Sequence, residues 1–190
     1  YMTKGNHDCN GKVSQEETIS KTQYHLLCHK RLESDPHVSF NPEDPYGNYF
    51  MADYPIEKVR VIALNNFDLG IMQESGIHDA QLRWLREAAL KTFDGQGWTV
   101  VMLTHNIVSE GGEFWSVIDA FNAAGIASIA AIIYGHTHVD RISKFHDVNL
   151  INVTCGYSSL DKAGTDMANA FSLFTIDTKN RQLVETRIGR

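Results

Sequence analysis

The sequence predicts an α/β fold of layered sheets with helices outside, and three observations carry that expectation. Two apolar runs, 99–103 and 126–134, do not alternate, so they read as strands buried on both faces. Residues 80–90 and 114–124 show apolar side chains at helical spacing between such strands. Beyond residue 140 the chain is mostly strand-like, which places sheets in layers with the helices outside them.

Taken in order, residues 1–4 read as the stub of a strand. Residues 14–32 are polar with spaced apolar side chains and read as a helix, with Ser14 and Glu17 in capping-box spacing. His25 and His29 lie four apart on it and share one face. That spacing can hold a metal, but the zinc-protease pattern needs Glu where Leu26 stands, so they read as ordinary, partly exposed histidines. Residues 35–47 carry Pro36, Pro42 and Pro45 and read as a loop insertion. Residues 48–54 and 59–65 read as two strands joined at Pro55-Ile56-Glu57-Lys58.

Residues 66–76 form a long connection. In the 80–90 helix, Leu82, Leu85 and Ala89 make the apolar face, and His78 or Asp79 is its cap. Gly125 ends the 114–124 helix. Strands follow at 142–145, 148–154, 170–177 and 182–188, with Lys179-Asn180 in the final hairpin turn.

A chain of 190 residues fits one domain and can bury a real core. Its formal charge of −6 disfavours non-specific binding to duplex nucleic acid. Cys9, Cys28 and Cys155 are far apart and odd in number, which argues against a disulfide framework and for a reducing, cytoplasmic compartment. No apolar run approaches the length of a membrane span, so no membrane partner is expected. The chain opens on Tyr1 almost inside a motif and reads as a fragment.

Three strand-like runs end in polar strings rich in metal-ligand residues. They are Gly5-Asn6-His7-Asp8, Thr104-His105-Asn106 and Gly135-His136-Thr137-His138. Ligands of α/β folds bind outside the carboxyl ends of strands, so three such ends point to one converged site. Imidazole, carboxylate and amide oxygen together suit zinc, manganese or iron. In Gly135-His136-Thr137-His138 the two histidines at i and i+2 point the same way in an extended chain. Each string also has a plainer reading, as a polar turn or a hydrogen-bonded structural histidine. Gly111-Gly112-Glu113-Phe114-Trp115 either lines a substrate cleft or is a loop into the next helix. Tyr157, Ser158 and Ser159 either flank the site or lie in a solvent loop.

Taken together, the strings resemble the calcineurin-like metallophosphoesterase family. Its Gly-Asn-His-Asp motif stands at Gly5, Asn6, His7 and Asp8. Its isolated histidine matches His105, and its Gly-His-x-His motif matches Gly135, His136 and His138. The run ending Leu64-Asn65 is similar to a family strand that usually ends in Leu-Asp, and Gln81-Leu82-Arg83-Trp84-Leu85 to its Gln-x-x-Trp-Leu helix. The resemblance implies a layered β-sandwich flanked by helices, a four-layer fold, with two divalent metal ions (Mn, Fe or Zn) in the intact family. It implies that Asn6, His105 and His136 bind one metal and His138 the other. It further implies that His7 contacts the phosphate and assists the leaving group, and that Asp8 orients His7.

The family's Asp-x-His and Gly-Asp motifs precede Gly-Asn-His-Asp, and only four residues precede Gly5 here. The expectation is therefore an N-terminally truncated portion of a catalytic domain, with an incomplete dinuclear site and little activity of its own. Its parent would hydrolyse a phosphate mono- or diester. Missing strands would leave an edge or apolar face uncovered near residues 1–4 or 100–103, giving self-association or marginal stability. Two other readings are a non-catalytic binding or scaffold module on the same fold and a nuclease, the latter disfavoured by the acidic balance.

Overall fold

The computed structural model describes residues 1–8, 19–67, 76–108, 112–153, 170–180 and 182–188. Its centre is a mixed seven-stranded sheet, in the order β1-β2-β3-β4-β5-β7-β6. The strands are β1 (Val38–Phe40), β2 (Phe50–Tyr54), β3 (Val59–Ala63), β4 (Trp98–Leu103), β5 (Ala127–Tyr134), β6 (Arg141–Phe145) and β7 (Val148–Asn152). β3, β4, β5 and β7 run parallel, while β1, β2 and β6 add antiparallel edges. A separate antiparallel pair, β8 (Phe171–Asp177) and β9 (Gln182–Ile188), forms a second small sheet.

The parallel connections run through α2 (Asp79–Trp84, extended by a π turn over Leu85–Ala89) and α3 (Glu113–Ala124). Both helices bury their apolar stripes in one cluster with the sheet. Alternate strand residues Ile62, Leu64, Val100, Met102, Val148 and Leu150 face that cluster, as the two-residue period requires. A bulge opposite Val100 and Val101 lets Ile129 and Ile132 both join it. Gly125 closes α3 at φ 66°, a left-handed pose that favours glycine.

Beneath α2, Arg60 is 2 % exposed and fully occupied. Its guanidinium grips the Asp53 carboxylate through two bonds of 2.6 Å and donates to the carbonyls of Ala89 and Thr92 at 2.7 Å. The Phe93 ring covers it at 4.2 Å. The β8–β9 hairpin is tied to the body by Arg187, which donates to Asp140; within the hairpin it also donates to Ser172 at 2.6 Å.

The α/β class and the main elements follow the sequence, and several local expectations are corrected. Residues 1–4 form no strand: side chains hold them instead, with the Tyr1 and Tyr54 hydroxyls in contact and Lys4 Nζ donating to the Phe67 carbonyl at 2.9 Å. The expected capping pair Ser14 and Glu17 lies outside the described residues. The helix described, α1 (Lys21–Tyr24), is capped by Ser20, with Gln23 closing the capping box. It continues as a π turn over His25–His29 and a 3₁₀ turn over Lys30–Ser34.

The 35–47 segment is not all loop, because Val38–Phe40 pairs with Phe50–Ala52 between flanking prolines. His78 occupies the N-cap of α2 without a side-chain cap, and Asp79 sits in the first turn, where it suits the helix dipole. β4 has no open edge, being paired with β3 on one side and β5 on the other. Among the described residues, no helix is long and apolar enough to cross a membrane. Cys9, Cys155, Gly111, Tyr157, Ser158 and Ser159 lie outside the described residues.

Candidate metal centre

The site stands where β4 and β5 end. Beyond β4 the chain stays pinned to its neighbour: Thr104 N donates to the Ile133 carbonyl at 3.0 Å, and Gly135 N to the His105 carbonyl at 3.1 Å. His105 and His136 are thereby brought side by side, with ring centroids 5.1 Å apart and planes at 72°. Thr137, between the two histidines of the third string, is held by the Asn152 amide at the end of β7. The string is not extended as expected. His136 and His138 take φ 22° and 57°, and His138 N donates to the Gly135 carbonyl at 3.2 Å, so the loop is a tight turn.

The first string reaches the same place from the N-terminal segment. Asp8 closes it as a turn, its N–H donating to the Gly5 carbonyl at 3.2 Å and its carboxylate accepting the Gly5 N–H at 2.7 Å. Gly5 lies against the His105 ring so closely that an added Cβ would sit 2.9 Å from it. Glycine is needed there for space. His7 and Asp8 are exposed, and Asn6 is buried.

Three donor atoms converge. His105 Nε2 is 3.1 Å from Asn6 Oδ1 and 3.2 Å from His136 Nδ1. Ligands at about 2.0–2.1 Å from one ion are separated by about 2.9 Å at octahedral and about 3.3 Å at tetrahedral angles. Two imidazoles sharing a tetrahedral ion place their centroids about 5 Å apart on the same arithmetic. His105 Nε2 is therefore spaced from each of the other two atoms as ligands of one coordination shell are, and the nitrogen–oxygen set suits a borderline divalent ion. Among the described residues, no three His, Cys, Asp or Glu side chains are gathered to hold a metal; the third polar atom beside the two imidazoles is the Asn6 amide oxygen. His138 and His7 lie near enough to act electrostatically on His105.

The His105 pKa is pushed down to about 4 by burial first, then by His136, with Asp8 opposing and His138 and His7 adding to the lowering. Its folded value lies below the ordinary 6.5, so stability from the neutral ring is fully present above 6.5 and is lost as pH falls through 4. Nuclear magnetic resonance titration of the metal-free protein is expected to show this imidazole protonating near pH 4. A midpoint near 6.5 would mean that the trio is open to solvent.

Several supporting residues were not anticipated from the sequence. Phe67 packs against both imidazoles, at 5.4 Å from His105 and 5.7 Å from His136, and Lys4 fixes it through its carbonyl. Asn66 donates to the Asn106 carbonyl at 2.7 Å and ties the loop after β3 to the loop after β4. Asn65, which stands where the resembling family has Asp, is fully buried: its amide donates to the Gly47 carbonyl at 2.8 Å, and Gln81 bonds its backbone at 2.9 and 2.7 Å. Asn65 thus anchors the strand end, and Gln81 of the Gln-x-x-Trp-Leu run is its partner. An apolar cavity of about 190 Å³, lined by Ile77, Leu82, Ile107, Val108 and Phe114, shares Asn66 with these loops. Comparison with models of known protein families and with curated proteins finds no match.

Proposed function

We propose that this chain carries part of the catalytic centre of a metal-dependent phosphoesterase, acting on a phosphate mono- or diester, on a fold of the calcineurin-like metallophosphoesterase kind. The observation that supports it most is the convergence of Asn6 Oδ1, His105 Nε2 and His136 Nδ1 at 3.1 and 3.2 Å. When bound, a divalent ion supplies Lewis-acid charge to the phosphoryl group and a nucleophile at neutral pH.

The chain's own residues do the rest. Asn6, His105 and His136 hold the ion, and Phe67 walls the imidazoles off on one side. His7, exposed beside the trio, binds the phosphate and gives a proton to the leaving oxygen. Asp8 braces the Gly5-to-Asp8 turn through the Gly5 N–H, so its effect on His7 is through the shape of that turn. His138 is offered to a second ion.

The test is hydrolysis of an aryl phosphate and a bis-aryl phosphate by this protein, with manganese or zinc and with chelator. Turnover that chelator removes and metal restores is expected. Stoichiometric metal binding without turnover would favour the binding-module reading, and neither binding nor turnover would overturn the proposal.

A further inference from the structure

Two sets of buried polar side chains stand outside the metal centre. His25 and His29 read from the sequence as partly exposed, yet they are 1 % and 0 % exposed. Phe40 and Phe50 pack against their rings, and their Nε2 atoms are 2.8 Å from Glu33 Oε1 and 3.1 Å from the Met2 carbonyl oxygen. Those contacts join the helical turn to its surroundings and make the pair a packing feature. Asn66 is different, because half of its amide is left over beside a cavity.

Asn66 is 1 % exposed. Its Nδ2 donates to the Asn106 carbonyl at 2.7 Å. A carbonyl only accepts, so this bond fixes which end of the amide is the nitrogen. Oδ1 is then an acceptor, and it is buried with no hydrogen-bond partner among the described residues. Nearly all buried polar atoms in folded proteins are paired, so an unpaired one asks for a partner from outside the chain.

The backbone around Asn66 is firmly set. Its carbonyl accepts the Gly76 N–H at 2.9 Å, and a parallel bridge joins Phe67 to Gly76. The Asn106 carbonyl also accepts Thr104 Oγ1 at 3.0 Å, and Asn106 Oδ1 accepts the Ile107 N–H at 2.9 Å. Trp115 Nε1 donates to the Val108 carbonyl at 3.2 Å. Two loops and the start of α3 are thereby held around the apolar cavity of about 190 Å³, with Asn66 in its wall. A site already shaped this way needs little ordering when a ligand enters.

Size and lining define that ligand. An apolar cavity of roughly 150 Å³ stays dry and takes benzene. The space here, about 190 Å³ between Ile77, Leu82, Ile107, Val108 and Phe114, admits one six-membered ring with a small substituent. Among the described residues that line it, the polar side chains are those of Asn66 and Glu113, and Glu113 accepts Arg86 Nη1 at 2.8 Å. A bare carbonyl oxygen and a carboxylate favour a hydrogen-bond donor and disfavour an anion. We propose that this cavity binds a neutral, ring-sized molecule with one O–H or N–H group, of the phenol or aniline class. The ring lies among the apolar side chains and the donor reaches Asn66 Oδ1. Ile107 is two residues beyond His105, so their Cα atoms are within about 7.6 Å and the bound ring is a neighbour of the metal centre.

The test uses the unsubstituted protein with chelator, so that no metal takes part and the outcome is independent of hydrolysis. Phenol, benzene and benzoate are titrated while the methyl resonances of Ile77, Leu82, Ile107 and Val108 are followed by nuclear magnetic resonance. Phenol is expected to shift these methyls saturably and to bind about threefold or more tightly than benzene, the scale of one net hydrogen bond. Benzoate is expected to bind about tenfold more weakly than phenol, because its charge would be buried beside acceptors. Val108→Phe, which fills the cavity from a loop position, is expected to remove phenol binding. Equal affinity for phenol and benzene would overturn the role given to Asn66, and saturable shifts from none of the three would leave only an apolar void. Phenol binding indifferent to Val108→Phe would put the ring elsewhere and sink the site. The comparison of phenol with benzene needs no variant, so it decides even where Val108→Phe fails to fold.

Discussion

Urea denaturation of an Arg60→Met chain is expected to show a loss of about 3–5 kcal/mol, the usual cost of removing one member of a buried ion pair. Methionine can fill the space under Phe93 but donates nothing. The Asp53 carboxylate and the carbonyls of Ala89 and Thr92 would all lose their partner. An unpaired buried acceptor costs about 1–3 kcal/mol by itself. Asp53→Asn should cost less, because that side chain is one-third exposed and water can replace part of the contact. A midpoint for Arg60→Met within 1 kcal/mol equivalent of the unsubstituted chain (roughly the effect of an ordinary substitution) would show that the guanidinium is ornamental to the core.

The other large effect is expected from a single carbon atom. In Gly5→Ala the new Cβ would lie 2.9 Å from the His105 ring, a distance that forces the ring or the turn to move. The ring cannot yield freely, since Phe67 and His136 pack on it. A displacement near 1 Å at such a centre costs about 100-fold in rate. On the proposed phosphoesterase reading, metal-dependent turnover is therefore expected to fall about 100-fold in Gly5→Ala, approaching His105→Ala, while the unfolding midpoint changes little. Turnover within about threefold of the unsubstituted enzyme would separate His105 from catalysis or the Gly5 contact from His105.

The central strands were legible because their chemistry is one-sided. Trp98–Leu103 and Ala127–Tyr134 are continuous apolar runs, and such runs have few other places to go in a chain this size. The meeting of His105 and His136 was legible for a related reason, since neighbouring strand ends in a parallel sheet share an edge; Asn6 reaches them from a turn that follows no strand. What stayed hidden depended on partners distant in sequence. Nothing local to His25 and His29 shows that Phe40 and Phe50 will enclose them, since Phe40 stands in a segment dense with proline. β1 escaped notice because three residues are too short for a period to declare itself. Phe67 was invisible as a wall because its role is set by Lys4, far from it along the chain. The turn at Gly135 to His138 was misjudged because residue type alone permits both an extended and a left-handed histidine.

That last turn carries a trade-off between durability and work. Histidine enters the left-handed region more readily than most residues, but glycine enters it at no steric cost. At φ 57°, position 138 is one where glycine would relieve the backbone and remove the imidazole in the same stroke. Selection for thermal endurance alone would push this loop toward glycine, and selection for chemistry would push it back. On the proposed phosphoesterase reading, a histidine at such a φ is a place where the fold concedes stability for the sake of the side chain, and stabilising redesign should leave it untouched.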